Sequence, residues 1–76
     1  MNVIPHIEMV GPYKLTVNHL QYKGGRSDRW FWTCVDTRDT SRVRSNRSSD
    51  EAYAKHDARK AAATLERELE QTERAA

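Results

Sequence analysis

Cysteine, glycine, proline and long apolar runs are all scarce in this chain, and each scarcity closes off a class of function. There is one cysteine among 76 residues, with three glycines and two prolines. A lone Cys34 cannot close an internal disulfide, which agrees with a reducing compartment. The pair Gly24-Gly25 lacks the further glycine and the lysine of a phosphate-cradling loop. His6, His19, Cys34 and His56 show none of the close paired spacings of zinc sites, and each falls in a different predicted element, so neither a metal nor a cofactor is expected. The longest apolar run falls far short of the roughly 20 residues that cross a bilayer. Met1-Asn2-Val3-Ile4-Pro5 has neither the basic start nor the apolar stretch of a signal peptide. The expectation is a cytoplasmic protein without a membrane segment.

Length sets a further limit. A chain this short buries only about 60% of the surface that its unfolded form exposes, so its core is small and a deep private cleft is not expected. The carboxylates lie mostly on the exterior of a predicted helix, and Cys34 sits mid-strand among apolar neighbours, where cysteine behaves as a small hydrophobe. The chain therefore reads as non-enzymatic.

What is present is a concentrated apolar stretch and a lopsided charge. Arg29-Trp30-Phe31-Trp32-Thr33-Cys34-Val35-Asp36 holds both tryptophans, the phenylalanine and the cysteine. Alternation puts Trp30, Trp32 and Cys34 on one face of a strand and Phe31, Thr33 and Val35 on the other, as expected of a central strand. Residues 1–49 carry eight Lys and Arg against four Asp and Glu, whereas residues 50–76 carry five against seven. A basic sheet and a mildly acidic helix are predicted, a polarity that suits a charged partner such as nucleic acid or an acidic protein surface.

Residues 1–12 read as an apolar N-terminal arm, either an extended lid or an edge strand, because Pro5 and Gly11-Pro12 disfavour a continuous inner strand. Tyr13 to Tyr22 alternates as a first strand, with a shift of apolar phase near Asn18 and His19 that suggests a bulge. Lys23 to Asp28, with Gly24-Gly25, supplies a hairpin loop. Asp36 to Thr40 is rich in side chains that bond to their own backbone and should turn the chain. Ser41 to Ser45 then forms a third strand, with Val43 facing one way and Arg42 and Arg44 the other.

Ser48-Ser49-Asp50-Glu51 has the pattern of a capping box, and helical signals continue to about Thr72. Ala54, Ala58, Ala61, Ala62, Leu65 and Leu69 form one stripe. Its small side chains should let the helix approach Trp30 and Trp32. The predicted fold is α+β: a three-stranded antiparallel meander with one C-terminal helix packed on one face. Residues 1–12 are the arm, 13–72 the βββα domain and 73–76 a frayed tail, and the molecule is expected to be monomeric.

Two surfaces are candidates for binding. The arm, with Val3, Ile4, Ile7, Met9 and Val10 too apolar for an inert tail, could order against a partner. Lys14, Arg42 and Arg44, with Phe31 between strands, could share the sheet face away from the helix. Arg42, Arg44 and Arg47 would then be the residues to meet DNA, since a small sheet carrying arginines can enter a major groove or follow phosphates.

The meander ending in a tryptophan-bearing strand, followed by a helix that starts Ser-Ser-Asp-Glu-Ala and continues through Ala61-Ala62-Ala63, resembles plant AP2 and phage-integrase arm-binding domains over roughly residues 28–65. In those families the sheet binds DNA, which implies a binding face at Arg42 and Arg44. The small size, element order and apolar arm also resemble phage host-takeover proteins, notably the small Xanthomonas-phage type that binds bacterial RNA polymerase, blocks initiation and promotes antitermination. That resemblance implies a polymerase-binding regulator whose N-terminal segment, Val3, Ile4, Ile7 and Tyr13, grips the enzyme.

Overall fold

The computed structural model describes residues 5–20 and 29–75. The expected contacts of Val3 and Ile4, and the Gly24-Gly25 hairpin loop with Lys23 and Arg26, lie outside the described residues. Four strands, β1 (His6–Val10), β2 (Tyr13–Leu20), β3 (Arg29–Asp36) and β4 (Val43–Ser48), form one antiparallel sheet in the order β1-β2-β3-β4. One helix, α1 (Glu51–Ala75), follows. The class is α+β with a single C-terminal helix, as expected, but the sheet has four strands rather than three.

The additional strand comes from the segment read as an arm. Pro5 stands just before β1, where its missing N–H removes no ladder bond. Val10 pairs with Tyr13, so Gly11 and Pro12 alone make the hairpin turn. Gly11 has φ of +58°, the left-handed conformation that glycine supplies in two-residue hairpins. Pairing between β2 and β3 is unbroken from Tyr13↔Asp36 to Leu20↔Arg29, so the expected bulge near Asn18 is not there. His19 keeps the strand in phase by presenting its ring to Trp30, with centroids 4.6 Å apart.

Tyr13, Leu15 and Val17 of β2 and Trp32 and Cys34 of β3 form the core with Ala54, Ala58, Ala61, Ala62 and Leu65 of α1, and Trp30 packs at its margin. The expected placement of both tryptophans on the helix side therefore holds. Four of the five buried helix residues are alanine, so the helix backbone lies close to the sheet. Its cap differs from expectation. Asp50 receives the Ala52 N–H at 3.0 Å, which makes Asp50 the N-cap. The Ser48 hydroxyl instead donates to Asp57 at 3.1 Å and ties the end of β4 to the helix.

Close packing makes the alanine stripe sensitive to added volume. Ala58→Leu should destabilise the chain by about 1–3 kcal/mol through overpacking, whereas Ala52→Leu on the exposed side should stay within about 0.5 kcal/mol. Urea denaturation of both variants measures the contrast, and equal midpoints would mean that Ala58 does not face the sheet.

Candidate functional site

Strand alternation and burial together define a sheet face that no helix covers. Tyr13, Leu15, Val17, Trp32, Cys34 and Asp36 are buried, so their odd-and-even neighbours point the other way. The register aligns those neighbours in three rows. Met9, Lys14, Val35 and Val43 make the first; Ile7, Thr16, Thr33 and Ser45 the second; Asn18, Phe31 and Arg47 the third. Ile7 is 55% exposed, Met9 56% and Val43 48%. The three rows carry no carboxylate, and the cations in them are Lys14 and Arg47.

The sequence-derived candidates divide between this face and the helix side. Ile7, Lys14 and Arg47 lie on the open face, together with Phe31. Tyr13 does not: it is 3% exposed and belongs to the core, so it is withdrawn as a partner-gripping residue. Arg42 and Arg44 are also corrected, because neither lies on the face away from the helix. Arg44 stands opposite Cys34, on the helix side, and pairs with Glu68. Arg42 precedes β4, bonds Asp36 and donates to the Leu65 carbonyl. Placing the strand at Val43–Ser48 rather than Ser41 to Ser45 puts Val43 opposite Val35, which turns Val43 to the open face and Arg44 inward.

Asp36 is the cause of that arrangement. Only 1% of it is exposed, yet its carboxylate receives the Arg38 backbone N–H at 2.9 Å, Arg38 Nε at 3.0 Å and an Arg42 guanidinium N–H. The loop closes around it, with the Asp36 N–H donating to the Arg42 carbonyl and the Arg42 N–H to the Asp39 carbonyl, each at 3.0 Å. Arg38 continues to Glu66 of the helix at 3.0 Å, and the Tyr13 hydroxyl donates to the same carboxylate at 2.7 Å. One buried anion thereby fixes β2, β3, the start of β4 and the middle of α1. Burial and the Glu66 hydrogen bond push the Tyr13 hydroxyl pKa up.

A second ion pair secures the edge strand. Glu8 accepts from Arg59 through Nε and one terminal guanidinium nitrogen, each at 2.7 Å, and from His6 at 3.0 Å. With the helix side of β1 held this way, Ile7 and Met9 are left on the open face. Among the described residues no group of three or more His, Cys, Asp and Glu is placed to hold a metal ion. Cys34 is fully buried, and burial pushes its thiol pKa up. Among the described residues no helix is long and apolar enough to cross a membrane.

Val35 and Val43 were not singled out as binding residues in the sequence, and Met9 only as part of the apolar arm. Their signal was present as alternation, since Ile7 and Met9 share parity in a five-residue strand. It became readable only once β1 was paired.

Acid should loosen the Asp36 node. The Arg38 hydrogen bond holds the Asp36 pKa at about 2 against an ordinary 3.8, and Arg59 holds Glu8 at about 2 against 4.5. Both carboxylates bind protons more readily in the unfolded chain. Their stabilisation is complete above the unfolded values and is lost as pH falls through the folded ones. Asp36→Asn should be less stable than the parent at neutral pH, and the gap should narrow between about pH 4 and pH 2 in a series of urea titrations. A gap that stays constant over that range would mean that the Asp36 charge is not what the arginines hold.

Compared with known protein families, with curated proteins and with solved structures, the chain has no significant match to any family, protein or structure.

Proposed function

We propose that the chain is a non-catalytic regulator that docks the open face of its sheet on a protein partner, and that this partner is bacterial RNA polymerase, whose transcription it modulates at initiation and termination. The resemblance to phage host-takeover proteins supplies the name of the partner. The observation that carries the docking reading is the composition of the face. Ile7, Met9, Phe31, Val35 and Val43 share it with Lys14 and Arg47, and no described carboxylate interrupts it. An apolar patch of this kind, left uncovered on a small domain, marks an interaction surface. Lys14 and Arg47 give the face a positive charge, which favours a partner whose own rim is acidic.

In this reading the N-terminal segment and the sheet are one surface. Ile7 reaches the partner from the edge strand, in the same row as Thr16, Thr33 and Ser45.

Direct DNA binding is the second reading, favoured by the absence of acid and by hydroxyl and amide side chains at Thr16, Thr33, Ser45 and Asn18. It is the weaker one because Arg42 and Arg44 are engaged with Asp36 and Glu68. The cations in the three rows, Lys14 and Arg47, would neutralise few phosphates and give a shallow salt dependence, with a slope of about −2.

The two readings separate on an affinity pull-down from bacterial lysate, run with and without nuclease. Nuclease-resistant recovery of RNA polymerase is expected, and Ile7→Ser with Val43→Ser should weaken binding to the purified enzyme by about tenfold or more while circular dichroism shows the fold retained. Recovery that disappears with nuclease, or that depends on Lys14→Gln and Arg47→Gln but not on Ile7 and Val43, would move the assignment to DNA.

A further inference from the structure

A second surface lies on the opposite side of the sheet, where β4 and α1 run alongside each other. Two polar latches join them, Ser48 to Asp57 at one end and Arg44 to Glu68 at the other. Between the latches is a groove of about 250 Å³, walled by Trp32, Asn46, Lys60, Ala61 and Thr64, with Arg44 and Asp57 at its ends. Trp32 pairs with Asn46 across the strands and sits beneath the middle of this groove.

The hydrogen-bonding capacity of the groove is unbalanced. Trp32 is 7% exposed, and its indole N–H is buried without an acceptor among the described residues. Such orphaned donors are few in folded proteins and call for an explanation. The Asn46 carbonyl oxygen is already taken by the Arg47 N–H, which leaves the Asn46 amide as a donor toward the groove. The Lys60 ammonium forms none of the described ion pairs. Thr64 donates its hydroxyl to the Lys60 carbonyl and so contributes an acceptor only. Asp57 is the one carboxylate lining the groove, and it accepts from Ser48.

From this excess of donors we infer that the groove binds a small anion, a carboxylate or a phosphate group, held by Lys60 and Asn46 over the Trp32 indole. The shared chemistry is a compact, acceptor-only group with two or more oxygens. A charge-assisted hydrogen bond from an ammonium is the strong contact such a group makes here. This site lies on the helix side of the sheet and does not depend on the docking face.

The test follows the two tryptophan indole N–H signals of the isotopically labelled chain by NMR, with Trp30→Phe used for assignment. Inorganic phosphate and acetate are titrated separately, with ionic strength held constant by chloride. The expected result is a saturable shift of the Trp32 signal and none at Trp30. Lys60→Gln and Asn46→Ala should each weaken the apparent affinity, the former by about tenfold, while Lys55→Gln, one turn away, leaves it unchanged. Saturation by phosphate alone identifies a phosphate site, and by acetate alone a carboxylate site. Absence of a saturable shift, an equal shift with chloride, or an affinity unaltered in both Lys60→Gln and Asn46→Ala would overturn the assignment.

Discussion

One helix must cover a four-stranded sheet, and it can cover only one of the two faces. The helix meets that face closely because four of its five buried residues are alanine, which leaves room for Trp32, Tyr13 and Leu15 to project from the sheet. Larger residues on the stripe would lift the helix away from Cys34, which is completely buried beneath it. The same geometry leaves the other face to solvent. The position of the core and the presence of an open face are therefore two consequences of a single packing choice.

Electrostatics decides which side chains reach that open face. Asp36, buried at the end of β3, draws Arg38 and Arg42 around itself, and Arg38 and Tyr13 carry the network to Glu66. The β3–β4 loop thereby acquires the length that sets Val43 opposite Val35. Two arginines that would make the open face strongly basic are directed to the helix side, engaging Asp36 and Glu68. The result is a face whose described rows carry apolar and hydroxyl side chains and few cations, which is what supports the proposed protein partner over DNA.

Much of the fold was legible because periodicity reports burial directly. Alternation in Trp30 to Val35 gave the central strand and its two faces, and the alanine stripe gave the helix face that meets it. The fourth strand was less visible, since five residues after a proline carry too little pattern to separate an arm from an edge strand until a partner strand is in place. Arg42 and Arg44 were misplaced for a different reason. Their orientation depends on a loop whose length is set by a buried aspartate, and nothing in the local sequence distinguishes that aspartate from an exposed turn residue. Tyr13 was given a binding role only through the resemblance, and its alternation with Leu15 and Val17 is what places it in the core. The Trp32 groove could not be read at all, because it forms from β4 and α1 residues that are brought together only by tertiary packing.

The most direct test of this account is a methyl NMR experiment on the free protein with a soluble paramagnetic relaxation agent. If one face is covered by the alanine stripe and the other open, Ile7, Met9 and Val43 signals should lose intensity while Leu15, Val17 and Leu65 remain protected. Protection of Ile7, Met9 and Val43 to the same degree as Leu15 would contradict the account, since the face assigned to partner docking would then already be occupied in the free chain.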